Sequence, residues 1–408
     1  SFLAHPRRAL ADGSLPACAS IDKAQYVIFA TSSAGDPINA SVPGTYLDSK
    51  IVHSPDPRMA AATLMLGGQN YQAATPWTSL SQSVLDRTSF WHLSTGTPVH
   101  PKEPDVLKLM GSTYASEMLP SLIARQLASC LGTVQPQPIA IGATSPSEGL
   151  SYQGAALPII PAQALKATLT SPSGALTELR PLRDQTLNEL YDIYKTDATT
   201  AQRAYIDTLV KSQSEVRNID QNLLDALSSI TDNGIDSQIL AAVTLIQMNL
   251  APVLSINIPF GGDNHRDPSL AKESDQTISG VAAIGSLMQQ LSAAGLSDKV
   301  SLVSLNVFGR TLGPGNENGR QHNPNHQVSI AIGKPFKSGV IGGVQPVAKD
   351  YGAMPIASAT GKAAADGDVQ PGDTLASFGK TLLQAFGVDS AAIDTGITSG
   401  KVISGALS

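Results

Sequence analysis

Between Ser255 and Gly343, aspartate and histidine side chains follow apolar segments at positions where they could bind a metal ion. Asp263 and His265 lie two residues apart, just after the predicted strand 252–258. A carboxylate and an imidazole at this spacing can bind one metal ion, or act as a base with its orienting partner. The stretch is also rich in turn residues, and Asp263 could instead cap the following helix. Spacing alone leaves both interpretations open.

His322 and His326 follow the next predicted strand, 299–306, and with His265 they make up three of the seven histidines in the chain. They are four residues apart, which is a metal-ligand spacing on a helix. Pro324 lies between them and excludes a regular helix. From spacing alone, this pair is a weak metal signal.

Hydroxyl and carboxyl groups follow two other predicted strands. Thr95 and Thr97 precede His100 in a turn-rich loop. A threonine hydroxyl near a metal could be the nucleophile of phosphoryl or sulfuryl transfer, but such a threonine more often caps a turn. Asp36 follows the first predicted strand, where it could face a ligand, although aspartate before proline also starts ordinary turns.

Alternating strands and helices must position these side chains. Short apolar runs predict the strands, the first of them at 25–30, and a 3.6-residue apolar period predicts helices at 273–294 and 373–387. This alternation predicts an α/β fold, with a mainly parallel central sheet and helices on both faces. The segment 58–66 is predicted to be a short helix.

Residues 177–249 differ from the rest of the chain in composition. They are rich in Leu, Asp, Gln and Arg, and they contain no glycine before Gly234. We predict two or three long amphipathic helices, for example at 184–195 and 199–230. Residues 1–408 are therefore predicted to form a single α/β domain, with 177–249 as a helical insertion within it.

The overall composition limits the classes of function. The 408 residues are 42% hydrophobic and 15% charged, which is typical of a globular chain. A formal charge of -6 and a pI near 5.6 argue against nucleic acid as a partner. No apolar run approaches the roughly 20 residues that span a bilayer, so the chain is predicted not to span a membrane.

The termini and cysteines bear on the cellular compartment. The sequence starts at Ser1 without methionine and has an Arg7-Arg8 pair, from which we predict a removed signal peptide and a periplasmic or extracellular protein. Cys18 and Cys130 are the only cysteines. They could form one disulfide or remain two buried thiols, and the sequence leaves both open.

The order of these segments resembles a secreted bacterial family known only as domain of unknown function 1501, itself similar to the alkaline phosphatase and sulfatase superfamily. Gly-Asp-Asn-His at 262–265 is similar to the family's Trp-Asp-Thr-His, and Asn-Val-Phe-Gly-Arg-Thr at 306–311 to its Glu-Phe-Gly-Arg-Thr. The eight residues 319–326 look like its Gly-Thr-Asp-His-Gly-His-Gly. Further similar segments lie at 26–43, 88–105 and 367–388.

The resemblance implies an alkaline-phosphatase-like fold and a site for a divalent ion such as zinc, manganese or calcium. It implies that Arg310 stabilises an anion and that Thr95 or Thr97 is the nucleophile. The implied metal ligands are Asp36, Asp263, His265, His322 and His326. Two carboxylates of the family pattern are replaced here by amides, at Asn306 and Gln321. Loss of two anionic ligands weakens metal affinity and predicts a degenerate site.

Two functions follow from the resemblance. The amide substitutions favour a catalytically silent relative, a binding or structural subunit of a surface or extracellular assembly whose partners are other surface or secreted proteins. The alternative is a metal-dependent hydrolase of phosphate or sulfate esters. Both require that His265 and His322 converge at one rim of a single parallel sheet.

Overall fold

The computed structural model describes residues 16–142, 149–169, 180–199, 202–203, 206–207, 221–260, 262–314 and 318–408. The strands in these ranges are β1 Tyr26–Ser32, β2 Ala61–Leu66, β3 Gln69–Ala74, β4 Thr88–Leu93, β5 Ile139–Ile141, β6 Ser151–Tyr152, β7 Ala155–Ala156, β8 Ile159–Ile160, β9 Val253–Ile256, β10 Val300–Asn306, β11 Gly309–Arg310, β12 His322–Asn323, β13 Gln327–Ile332, β14 Gly339–Ile341, β15 Val344–Val347 and β16 Asp350–Ala353. The α-helices are α1 Gln82–Leu85, α2 Glu103–Leu107, α3 Leu119–Leu131, α4 Leu165–Leu169, α5 Arg180–Asp197, α6 Gln221–Ser228, α7 Ile235–Gln247, α8 Ala271–Ala293, α9 Thr374–Ala385 and α10 Ser390–Gly396.

Eight of these strands form one sheet, in the order β14-β4-β13-β10-β1-β9-β5-β8. Neighbouring strands pair in parallel, except that β13 pairs antiparallel with both β10 and β4. β13 is therefore antiparallel to the other seven strands of the sheet. The prediction of a mainly parallel α/β sheet is confirmed. Since parallel strands share a direction, the carboxyl ends of β1, β4, β9 and β10 lie at one rim.

Both faces of the sheet are covered. Along β1, Val27 and Phe29 point into one hydrophobic core, while Ile28 and Ala30 point into the other. The first core also contains side chains of α3 and α9, and the second those of α7 and α8. A strand covered on both faces needs a continuous apolar run rather than alternation, which explains the sequence of β1.

The segment 177–249 contains α5, α6 and α7 in its described parts. The predicted helix 184–195 corresponds to α5, whereas much of the predicted helix 199–230 lies outside the described residues. Ile239, Ala242 and Ile246 of α7 are buried in the core beside the sheet. The single-domain organisation and the insertion within it stay predictions.

The segment 58–66 is not a helix, and this prediction was wrong. Most of it is strand β2, which pairs antiparallel with β3 across Gly67 and Gly68. Both glycines have positive φ, of 56° and 75°. Two adjacent residues in this conformation make the tight turn typical of a two-residue hairpin. None of the described helices is both long and apolar enough to cross a bilayer.

Cys18 and Cys130 form a disulfide, which decides between the two alternatives left open by the sequence. The bond ties the segment before β1 to the carboxyl-terminal part of α3 and closes a sequence separation of 112 residues. A cross-link over so long a stretch restricts the unfolded chain and thereby favours the folded state.

We expect the double variant Cys18→Ser/Cys130→Ser to lose about 2–4 kcal/mol of unfolding free energy, because its unfolded chain regains the entropy of an open loop. Urea unfolding followed by circular dichroism measures this difference. The oxidised wild type treated with a reductant should unfold like the variant. Equal urea midpoints for all three samples would show that the bond does not constrain the unfolded chain.

Candidate metal centre

The two predicted histidine segments converge at the carboxyl rim of the sheet. His265 lies in the loop after β9, and His322 opens the two-residue strand β12, which pairs with β11. Their Nε2 atoms are 2.7 Å apart. The premise that these segments meet at one rim therefore holds in the structure.

A third imidazole completes the group. His100, in the loop after β4, His265 and His322 each offer a ring nitrogen, and these three atoms lie within 4.8 Å of one another. The rings of His100 and His322 are perpendicular, with centroids 4.6 Å apart. All three side chains are half-buried. We call His100, His265 and His322 the three-histidine group.

Main-chain carbonyls orient two of these rings. His100 Nδ1 donates to the carbonyl of Ser33 at 2.7 Å, and His322 Nδ1 donates to the carbonyl of Pro98 at 2.6 Å. A carbonyl only accepts, so each Nδ1 carries a proton, and a neutral ring keeps its lone pair on Nε2. Metal-binding histidines characteristically use one ring nitrogen this way while the other binds the ion.

The contact between His265 and His322 is a hydrogen bond of known direction. Burial, with smaller contributions from the neighbouring Arg310, lowers the pKa of His322 to about 4, although its bond to Pro98 opposes this. His322 is therefore neutral near pH 7, its Nε2 is an acceptor, and His265 Nε2–H is the donor. An ion that uses both Nε2 atoms must displace this proton.

Arg310 is fully buried beside the group. Its Nε donates to the carbonyl of Gly35 at 2.5 Å, and Nη2 to that of Ala34 at 2.6 Å. The remaining nitrogen, Nη1, lies 3.5 Å from His265 Nε2 and 3.5 Å from Asp263 Oδ1. Burial lowers the pKa of Arg310 despite the attraction of Asp263. The loop after β1 thus fixes a guanidinium with one end facing the rim.

Asp263 is the carboxylate nearest to the three-histidine group, with Oδ1 3.7 Å from His265 Nε2. Desolvation raises its pKa, but the His265 backbone N–H and the charge of Arg310 outweigh this and lower it overall. The helix-cap role considered for Asp263 belongs to Asp267, whose carboxylate accepts from the backbone N–H groups of Ala271 and Glu273. Asp263 is thus left facing the rim.

The structure does not bring Asp36 or His326 into the three-histidine group. Asp36 is buried, and its Oδ1 accepts from the backbone N–H of Gly262. His326 is fully buried, with Nε2 2.9 Å from His92 Nδ1 and Nδ1 3.2 Å from Asn39 Nδ2. Both ring nitrogens of His326 are thereby used in hydrogen bonds, and the metal-ligand roles implied for Asp36 and His326 stay predictions.

Thr95 and Thr97 lie buried in the loop that carries His100. The backbone N–H of Thr95 donates to the carbonyl of Pro324 at 3.2 Å, which joins this loop to the one that carries His322. Thr97 Oγ1 accepts from the backbone N–H of Val99 at 3.4 Å, as in a turn. These contacts position His100.

An open cavity of about 690 Å³ adjoins the group on the solvent side. It is lined by His265, Arg266, Pro268, Asn318 and Gln321. Gln321, one of the two amides at positions where the resemblance places carboxylates, therefore faces this opening. The other, Asn306, is buried at the end of β10.

A buried ion pair joins the two histidine loops. Arg320 Nε donates to Glu273 Oε2 at 2.6 Å, and both side chains are 1% exposed. Glu273 Oε2 also accepts from Asn264 Nδ2 at 2.9 Å. Because Asn264 precedes His265 and Arg320 lies two residues before His322, this pair holds both imidazoles in place.

We predict that Glu273→Gln lowers the unfolding free energy by about 3–5 kcal/mol, since Arg320 would be left buried without its counter-charge. Asp105→Asn is the control, because the pair of Asp105 with Lys102 lies in solvent and should contribute little. Chemical denaturation measures both variants. If both variants lost the same small amount of unfolding free energy, the buried pair would not be needed for the stability of the fold.

His92 and His326 form a buried pair that resists protonation. Burial lowers the pKa of His92 from 6.5 to about 4. Burial, together with the neighbouring His92, also lowers the pKa of His326 well below its usual range. At mildly acidic pH, the unfolded chain therefore binds protons here that the folded chain excludes.

We expect the unfolding free energy to be fully retained above pH 6.5 and to fall as the pH drops towards 4. Proton uptake by the unfolded state at His92 alone would account for roughly 3 kcal/mol of this loss. Urea titrations at several pH values measure the slope. His92→Gln, which keeps a donor for Pro43, should flatten the slope, and an unchanged slope would contradict the assignment.

Comparisons with known proteins identify the chain no further. No family model matches it, and no curated protein matches its sequence. Among the solved structures that match, the lipoteichoic acid synthase LtaP from Listeria monocytogenes is 8% identical, and the alignment covers 98% of this chain and 80% of that chain with a TM-score of 0.39. Ps i-CgsB in complex with k-i-k-neocarrahexaose is 10% identical, with 93% of this chain and 74% of that chain covered and a TM-score of 0.38. BT4656 in complex with D-glucosamine-2-N,6-O-disulfate is 11% identical, with 93% of this chain and 81% of that chain covered and a TM-score of 0.33. TM-scores this low carry no argument about family or function.

The class defined by the described residues is therefore an α/β protein with histidines at the carboxyl rim of its central sheet. The resemblance to the domain of unknown function 1501 family stays a prediction. His100 was not among the ligands expected from the sequence, which singled it out only by its neighbours Thr95 and Thr97. Its position after a strand of the same sheet was the signal that could have included it.

Proposed function

We propose that this protein binds one divalent transition-metal ion through His100, His265 and His322 and is a metal-dependent hydrolase of phosphate or sulfate esters. One observation carries the proposal: three imidazole nitrogens lie within 4.8 Å, and main-chain carbonyls hold two of the rings at Nδ1. This arrangement leaves Nε2 of both rings available to an ion.

The donor set favours some metals over others. Neutral imidazoles suit zinc and related transition metals, whereas calcium takes six to eight oxygen ligands. Of the three ions implied by the resemblance, zinc therefore fits best, manganese less well and calcium least. Asp263 is the candidate for a fourth, anionic ligand, since its Oδ1 lies 3.7 Å from His265 Nε2.

The residues of the chain have distinct proposed roles. A bound ion would supply Lewis-acid polarisation of the ester. Arg310 Nη1 would receive an oxygen of the transferred group, and because two carbonyls already hold this guanidinium, little reorganisation is needed. Burial lowers the pKa of Arg310, and the charges of Asp263 and Asp36 oppose this and favour the cation. Thr95 or Thr97 stays the proposed nucleophile, as both lie in the loop between β4 and His100.

A catalytically silent binding or structural subunit is the second candidate. It is supported by Asn306 and Gln321, which stand where the resemblance places carboxylates. Without those two charges, Asp263 is the one carboxylate among the described residues that forms a close contact with the group, which gives no second metal site there. In both candidates, we propose a periplasmic or extracellular location, which the disulfide between Cys18 and Cys130 supports.

Titration calorimetry with zinc and manganese, combined with turnover of chromogenic phosphate and sulfate esters, tests the proposal. We expect one ion per chain, and about a hundredfold or greater loss of affinity in His265→Ala. His53→Ala is the matched control, because His53 Nδ1 bonds to the carbonyl of Ala40 but His53 is not one of the three. Turnover should disappear with the metal.

The outcomes separate the two candidates. Stoichiometric metal with ester turnover, both lost in His265→Ala and kept in His53→Ala, supports the hydrolase. Metal binding without turnover of either ester rejects the hydrolase in favour of a silent site. Failure to bind either ion rejects the metal centre itself.

A further inference from the structure

Asn39 holds the main chain of Arg310 at two points. The backbone N–H of Arg310 donates to Asn39 Oδ1 at 3.0 Å, and Asn39 Nδ2 donates to the carbonyl of Arg310 at 2.7 Å. Asn39 is 1% exposed. Its amide therefore satisfies both polar groups of the Arg310 peptide, and its orientation is fixed, because Oδ1 must accept and Nδ2 must donate.

A chain of two buried imidazoles continues from Asn39. The second hydrogen of Asn39 Nδ2 points to His326 Nδ1 at 3.2 Å, so this ring nitrogen carries a lone pair. His326 Nε2–H then donates to His92 Nδ1 at 2.9 Å, and His92 Nε2–H donates to the carbonyl of Pro43 at 2.9 Å. With this placement of protons, every ring nitrogen of His326 and His92 has a hydrogen-bond partner, and both rings are neutral.

The same short loop fixes Arg310 at both ends. The carbonyls of Ala34 and Gly35 hold its guanidinium, and Asn39 holds its backbone. The approach is so close that a Cβ at Gly309 would meet the carbonyl oxygen of His326 at 2.2 Å and Asn39 Nδ2 at 2.8 Å. Glycine is thus required before Arg310 for the contact to form.

We infer that Asn39, His326 and His92 are positioning residues that hold Arg310 where its Nη1 can receive an oxyanion at the three-histidine group. The inference rests on the proposed function in taking Arg310 as the oxyanion-binding group. His326 therefore acts through hydrogen bonds on an arginine and not through a metal. The three residues touch neither the ion nor the ester.

The role of His326 in this chain is chemically specific. An asparagine at position 326 can place its Oδ1 where His326 Nδ1 lies and accept the hydrogen bond from Asn39 Nδ2. A glutamine there places its amide where His326 Nε2 lies, so Asn39 Nδ2 loses its acceptor. An unpaired buried donor is unfavourable, and Asn39 would rotate away from Arg310 to satisfy it. His326→Asn and His326→Gln thus form a matched pair of similar polarity.

The test measures the affinity of the zinc-loaded protein for inorganic phosphate by calorimetry. We expect Asn39→Asp and His326→Gln to weaken phosphate binding about tenfold or more, since a precisely held charge-assisted bond is lost. His326→Asn should stay close to wild type. Zinc affinity should be the same in all variants. If a variant lost its structure generally, its zinc affinity would fall as well.

Gln25→Ala is the control for the loss of a buried amide. Gln25 Nε2 donates to the carbonyl of Asp298 at 3.1 Å, at the opposite rim of the sheet. This variant should be destabilised without losing phosphate affinity. Phosphate affinity of Asn39→Asp and His326→Gln within twofold of wild type, while Arg310→Lys loses it, would overturn the inference.

A second measurement does not depend on the metal or on phosphate. In protein labelled with ¹⁵N-arginine, the Nε–H signal of Arg310 should exchange slowly with solvent, because Nε donates to Gly35 inside the protein. Exchange should accelerate in His326→Gln but not in His326→Asn. Equal exchange in the two variants would overturn the inference even if the protein bound zinc and phosphate. If exchange is faster in His326→Gln than in His326→Asn but the protein does not bind zinc, only the proposed function is rejected.

Discussion

Parallel pairing of β1 with β9 on one side and β10 on the other determines where every candidate functional side chain lies. In this register, Ala30 of β1 aligns with Ile256 and Ser304. β9 ends opposite Ala30, β1 and β10 continue two residues further to Ser32 and Asn306, and the loops of all three leave at one rim. Because both faces are buried, a slip in register would displace the apolar side chains of two hydrophobic cores at once.

The rim combines three imidazoles with a buried cation. Burial, with a smaller contribution from Arg310, lowers the pKa of His322, and a neutral His322 keeps its Nε2 lone pair. The guanidinium itself is held by carbonyls, and Asp263 is the closest carboxylate. A divalent ion added to these groups would make the rim strongly positive. With such an ion bound, the electrostatics would favour an oxyanion as the occupant.

Much of the fold could be predicted from the sequence, because strands covered on both faces are continuous apolar runs bounded by turns. β1 shows this pattern most clearly, while β4, β9, β10 and β13 are equally buried but include small or polar residues among the apolar ones. The segment 58–66 was misjudged because β2 is short and packs on one side only. That prediction did not take account of the Gly67-Gly68 turn, which is the stronger physical signal.

The candidate site could be predicted only in part. His265 and His322 were found because each follows a predicted strand. His326 was assigned with His322 although Pro324 extends the backbone between them, and their rings consequently point to different partners. Asn39 and the Arg320–Glu273 pair could not be found, since their contacts join residues far apart in sequence. Periodicity describes only neighbours along the chain.

X-ray absorption spectroscopy of the zinc-loaded protein tests the central claim most directly, because it counts the atoms bound to the ion. Three imidazole nitrogens at about 2.0–2.1 Å, with one or more oxygens, are expected if the three-histidine group binds the metal. Loss of one imidazole from the spectrum in His100→Gln would identify that ligand. A shell of oxygens alone, or a wild-type spectrum in His100→Gln, would contradict the account.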